Sequence, residues 1–236
     1  MKILLFFTFY LISGPVSCSD VIGYSGGTVM IHCTIPRVTN RGYNMYFCKD
    51  SAHQCVYMKS DSTPKTWDHK GRVSLQESDG FLTVIYRDLS SEDTGLYLCG
   101  GTGEWKNTVN LKVKTDKCCS EQKTLTSHPG ETVTISCSYP EEFKEKSKFI
   151  SRLNGLDFTE MAHTSDPSRG RFSISEDRRS RVVRISDVRK SDGGVYYCGV
   201  SGDPGAVSYD TFFTKTYLRV TGKDHLSYNY VHVFFY

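Results

Sequence analysis

The chain has 236 residues, 38% of them hydrophobic, 23% charged and 13% aromatic, which is ordinary for a globular protein and leaves room for two domains of about 100 residues each. Net charge is only +3 and is evenly spread: residues 19–115 carry 11 Lys/Arg against 10 Asp/Glu, and residues 116–222 carry 16 against 15. The balance excludes the basic excess of a nucleic-acid binder, and the composition excludes a disordered or collagenous chain.

The first element is a leader. Lys2 precedes the apolar run Ile3–Ile12, and the small residues from Ser13 to Cys18 follow. This reads as a signal peptide over residues 1–18, cut between Ser17 and Asp20 and too short to be a membrane span. It sends a chain with nine cysteines to an oxidising compartment, where thiols pair. Next comes Gly26-Gly27-Thr28-Val29-Met30-Ile31-His32-Cys33, an alternating half-buried strand, which recurs as Pro129-Gly130-Glu131-Thr132-Val133-Thr134-Ile135-Ser136-Cys137. Gly71–Leu75 recurs as Gly170–Ile174, and Val84-Ile85-Tyr86 as Val183-Arg184-Ile185. Each copy closes on an alternating strand: Val109, Leu111 and Val113, then Thr216, Leu218 and Val220. The expected organisation is therefore a domain over 19–115, a second over 116–222 and a short tail over 223–236.

The most specific segment is Asp-x-Gly-x-Tyr-x-Cys, found at Asp93–Cys99 and again at Asp192–Cys198. Many short strands, Gly- and Asp-rich turns and no helical period point to an all-β fold: two tandem variable-type immunoglobulin sandwiches. In that fold Tyr97 and Tyr196 tie their hydroxyls to backbone at a corner, and the cysteines bridge the two sheets as Cys33–Cys99 and Cys137–Cys198. Arg72 with Asp93, and Arg171 with Asp192, recur at matching places and read as structural clamps at the end of each sandwich.

Tyr46-Phe47-Cys48-Lys49 followed by Cys55, together with Cys99-Gly100 and Cys198-Gly199, resembles the polymeric immunoglobulin receptor domains and the CMRF-like leukocyte receptors. The resemblance covers residues 20–222 and implies a second short disulfide, Cys48–Cys55. Phe47 stands where that family has a core Trp. In the second copy Ser151 replaces the cysteine, so the short bridge is not expected there. Cys118 and Cys119 have three open fates: a strained ring between neighbours, a pairing with another chain, or free thiols.

No His-x-x-x-His or Cys-x-x-Cys spacing, nucleophile elbow or phosphate loop occurs, so neither an enzyme, a metal site nor a cofactor is expected. Binding in such sandwiches usually sits in loops at one end. In the first domain those loops are read as Pro36–Asn44, the Cys48–Cys55 region and Gly101–Lys106, with Arg37, Arg41, Tyr43 and Trp105 as candidate ligand residues. Trp105 reads equally well as a side chain packed on the sheet edge. The resemblance implies an immune receptor for antibody Fc regions, another cell-surface protein or anionic phospholipid head groups. A homophilic adhesion module, with association between copies, is the alternative. The expected location is extracellular, secreted as written, with family members at the plasma membrane.

Overall fold

A computed structural model describes residues 18–36, 44–49, 54–59, 68–78, 80–103, 105–116, 122–177 and 180–222. The leader before Cys18, the candidates Arg37, Arg41 and Tyr43, the pair Cys118 and Cys119, and the tail 223–236 lie outside the described residues.

The first half supplies β1 (Cys18–Tyr24), β2 (Thr28–Thr34), β3 (Asn44–Lys49), β4 (Gln54–Lys59), β5 (Asp68–Lys70), β6 (Val73–Ser78), β7 (Phe81–Tyr86), β8 (Gly95–Gly101) and β9 (Trp105–Lys114). The second half supplies β10 (Gln122–Ser127), β11 (Val133–Cys137), β12 (Lys148–Asn154), β13 (Asp157–His163), β14 (Ser168–Arg169), β15 (Phe172–Asp177), β16 (Ser180–Ile185), β17 (Gly194–Ser201) and β18 (Val207–Val220). No helix among the described residues is long and apolar enough to cross a membrane.

In the first domain a front sheet runs β1-β9-β8-β3-β4, and a back sheet runs β2-β7-β6-β5. Alternation sends Val29, Ile31 and Cys33 of β2 inward against Phe47, Tyr97, Val109 and Leu111 of the front sheet. Phe47 fills the place of the family Trp by stacking on Tyr97, with ring centroids 4.9 Å apart. The second domain repeats the plan, with Ile135, Ile150, Val183, Ile185, Tyr196 and Leu218 at its centre. Disulfides join Cys33 to Cys99, Cys48 to Cys55 and Cys137 to Cys198. Cys18, placed by the leader reading at or before the cut, is an exposed free cysteine at the start of β1.

The two sandwiches share a sheet. Because β1 runs parallel to β9 on the front sheet, β2 is left at the edge of the back sheet. An open edge strand is a ready site for unwanted pairing. Here β18 of the second domain closes it: Val207–Phe212 pairs antiparallel with Cys33–Thr28, giving a nine-stranded sheet through both domains. Val207 and Tyr209 point into the first domain's core. Thr211 Oγ1 donates to Ile22 O at 2.5 Å. The bend that aims the strand is a bulge. Tyr197 pairs with Lys215 but Cys198 with Phe213, which leaves Thr214 out of register at φ +25°. Tyr24, Phe143, Val200 and Phe213 form a small apolar cluster at the junction. Glu142 beside it accepts from Tyr24 and pairs with Lys114.

Candidate ligand-binding end of the first domain

β2 ends at Thr34, and the first loop leaves from Ile35, whose N–H donates to Gly80 O at 2.8 Å. The chain returns at Asn44, whose carbonyl accepts from both the N–H and the hydroxyl of Thr102, each at 2.8 Å. Thr102 belongs to the turn between β8 and β9, with Gly103 at φ +77°. Asn107 Nδ2 reaches Thr34 O at 3.4 Å, which closes the ring of contacts. The two ends of the β2–β3 connection, at Thr34–Ile35 and at Asn44, therefore lie beside the β8–β9 turn at one end of the sandwich. Gly100 is required here: a Cβ would sit 2.4 Å from Trp105 O and 2.8 Å from the Tyr46 hydroxyl. Its counterpart Gly199 has the Phe149 ring 2.2 Å from the same position, so both Cys-Gly pairs have a steric reason.

Trp105 stands at this end as part of the hydrophobic packing: it is partly buried against the core, and its Nε1 is buried with no hydrogen-bond partner among the described residues. The edge-packing reading describes its contacts.

The Cys48–Cys55 hairpin is elsewhere. Met45 pairs with Gly101 but Lys49 with Tyr97, so β3 carries its bridge to the opposite end from the two loops. Grouping that hairpin with the ligand loops is corrected by this register. The far end is where the corner motif sits. Arg72 Nη1 and Nη2 donate to the two Asp93 carboxylate oxygens, both at 2.7 Å, and Tyr97 donates to Asp93 O at 2.7 Å. Tyr86 adds a 2.5 Å bond to Asp93 Oδ1. Burial pushes the Asp93 carboxyl up, but the bonds from Arg72, Tyr86 and the Ser90 N–H outweigh it and hold the group at about 2. The second domain repeats the arrangement: Arg171 pairs with Asp192 at 2.5 and 2.7 Å, and Tyr196 donates to Asp192 O at 2.7 Å. The Asp192 carboxyl is lowered, chiefly by the Arg171 bond.

An open cleft of about 860 Å³ also lies at the far end, lined by Lys49, Tyr57, Lys70 and Arg72 among others. Two of its cations are already engaged: Lys49 donates to Glu92 O at 2.5 Å, and Arg72 holds Asp93. Arg152, the counterpart of Lys49 in the second domain, donates to Gly193 O at 2.7 Å, so each bonds a carbonyl next to the corner aspartate. No cluster of metal-ligating side chains occurs among the described residues.

Sequence reasoning missed two groups. One is the β18 arm, Val207–Phe213, whose alternation continues N-terminally past the assigned last strand. The other is Lys148, buried and donating to Phe143 O, Lys144 O and Lys146 O, each at 2.6 Å. It folds the 141–147 loop so that Phe143 and Glu142 meet the first domain. A lone Lys beside two others gave no signal of burial.

The immunoglobulin V-set domain model matches residues 17–114 and 120–221. The rat polymeric immunoglobulin receptor is 29% identical over 227 residues, 90% of this chain and 29% of that protein. The bovine receptor is 30% identical over 80% of this chain and 26% of its own length. Mouse CMRF35-like molecule 9 is 29% identical over 43% of this chain and 32% of its own. The chain thus spans under a third of the length of the curated relatives it matches. Among solved structures, the second and first domains of the mouse polymeric immunoglobulin receptor align at 18% and 21% identity, each over 43% of this chain and over 97% and 91% of their own, with TM-scores of 0.36 and 0.35. With two matched copies that together cover most of its length, the chain belongs to the immunoglobulin V-set domain family, whose members are non-enzymatic binding domains.

Proposed function

We propose that this chain is the extracellular part of an immune receptor that takes polymeric immunoglobulin as a protein ligand through the loop end of its first domain. The observation that carries the reading is the asymmetry between the two copies. The first domain has the short Cys48–Cys55 bridge, and its β2–β3 connection starts and ends beside the β8–β9 turn. In the second, Ser151 takes the cysteine's place opposite Tyr197, and the start of β18, which follows that domain's third loop (the β17–β18 connection), is drawn into the first domain's sheet. The similarity to polymeric immunoglobulin receptors over 90% of the chain supports the ligand class. A secreted or surface-held location follows from the same reading and from the leader at residues 1–18.

The test is a binding panel on the purified chain: polymeric immunoglobulin, monomeric immunoglobulin, anionic liposomes, and the chain itself by sedimentation. Polymeric immunoglobulin is expected to bind. Arg37→Ala with Arg41→Ala should weaken that binding about tenfold or more with an unchanged melting temperature. Trp105→Ala is unsuitable for the same test, because its packing on the core makes it a stability variant as well. Binding of liposomes alone, or self-association alone, would replace this reading with the corresponding alternative.

A further inference from the structure

The second domain's third loop does not stop where it meets the first domain. It enters at Phe212, paired with Thr28 at one end of β2, and runs to Val207, paired with Cys33 at the other. Five residues of strand carry the turn before β18 about 17 Å along the first domain. Ala206 O then accepts from the Thr34 N–H at 2.9 Å, one residue before the first ligand loop begins. Asn107, at the start of β9, bonds the carbonyl of that same Thr34.

The turn is held there from both sides. Gly202 N–H donates to Tyr209 O at 2.7 Å, and Asp203 pairs with Lys146. Val207 and Tyr209 anchor the strand in the first domain's core, yet Asp203, Pro204, Gly205 and Ala206 are all exposed. Closing the β2 edge needs only the paired residues 207–212. The four-residue tip beyond them is a held, solvent-facing ledge beside Thr34, where the first domain's β2–β3 connection begins and which Asn107 of β9 also bonds.

We propose that the turn Asp203–Ala206 is part of the ligand-contacting surface, so that a protein ligand is read by one composite surface built from both domains. This rests on the reading that the first domain's loop end binds polymeric immunoglobulin. It adds that the second domain's third loop acts there as a wall, and not as an independent site.

The experiment is a glycan wedge. The chain has no Asn-x-Ser/Thr acceptor of its own. Pro204→Asn with Ala206→Thr creates one on the turn, while Thr132→Asn creates one at the exposed β10–β11 connection, at the other end of the second domain. Full-length chains are made in a glycosylating host, and polymeric immunoglobulin is the probe. A glycan on the turn should lower affinity at least tenfold, enzymatic removal should restore most of it, and the Thr132→Asn chain should bind as the unmodified chain does. If the wedge variant is not secreted, Pro204→Arg reads the same contact without a glycan, and a loss of threefold or more is expected. Unchanged affinity in the glycosylated turn variant, alongside weakened binding by Arg37→Ala with Arg41→Ala, would overturn the composite surface and leave the first-domain reading standing. No binding of polymeric immunoglobulin by the unmodified chain would overturn both.

Discussion

Tyr209→Ala tests whether the β18 arm is a working part of the first domain. The side chain comes from the second domain but is 7% exposed within the first domain's core cluster. An aromatic side chain buries on the order of 150–250 Å², and aromatic-to-Ala changes in cores cost about 3–5 kcal/mol once the residual cavity is included. If the two sandwiches unfold as one unit of about 200 residues, that loss lowers the melting temperature by roughly 6–20 °C. Both tryptophans of the chain, Trp67 and Trp105, belong to the first domain. Tryptophan fluorescence in a urea titration therefore reports on that domain alone, while circular dichroism reports on both. The fluorescence midpoint should fall although the substitution lies in the second domain. A fluorescence transition unchanged in Tyr209→Ala, with a separate earlier transition seen only by circular dichroism, would refute the shared core.

Three further outcomes follow from the corner motifs and the short bridge. Arg72→Ala strips the buried Asp93 carboxylate of its bidentate partner and should cost about 1–3 kcal/mol by urea denaturation, and Arg171→Ala should cost a similar amount in the second domain. Both carboxyls are held below their ordinary value of 3.8, so their contribution is fully present above that pH and is lost as pH falls towards the Asp93 value of about 2. Unfolding midpoints followed from pH 5 to pH 2 should drop over the lower part of that range, and less steeply in Arg72→Ala. Replacing Cys48 and Cys55 together with Ala removes a bridge with a sequence separation of only 7, which the chain-entropy model values at about 2.5 kcal/mol against about 4 for Cys33–Cys99, so the variant should stay folded at a lower midpoint.

The fold was legible because period-2 alternation, turn residues and the doubled Asp-x-Gly-x-Tyr-x-Cys segment all state local rules: Cβ atoms alternate, Gly95 and Gly194 take φ of +151° and +156°, and a tyrosine hydroxyl needs a nearby carbonyl. Which end of the sandwich each loop reaches was less legible. Cys48 and Cys55 lie close to the first loop in sequence, but the four strand residues Asn44–Phe47 carry the bridge away from it in space. Trp105 was open between two readings because an aromatic next to a turn suits either a ligand or a core, and the neighbours it packs on come from strands distant in sequence. The arm was invisible for a different reason. Val207, Tyr209 and Thr211 alternate like any strand, and nothing local says that their inward face belongs to another domain's core.

That arm also constrains the two copies differently, although they carry nearly the same motif set. Once Val207–Phe212 is committed to β2, the second domain's third loop can vary only within limits set by the first domain's core, since Val207 and Tyr209 must still fit it. Phe212 faces the other way, stacked on Phe158 with ring centroids 4.2 Å apart and edge-on to Tyr197, so it too is constrained. Asp203–Ala206, exposed beyond the paired residues, carry no such packing constraint. A tandem pair built this way needs no rigid linker to hold its geometry, because the relative position of the domains is set by a hydrogen-bonded ladder and the Tyr24–Phe143–Phe213 cluster. Phe143→Ala should therefore loosen the pair without emptying either main core. The expected result is faster hydrogen exchange in β2 and in residues 207–212, with β16 and β7 protected as before. Exchange rates in β2 that match the unmodified chain would mean that the ladder alone fixes the domains and that the cluster is dispensable.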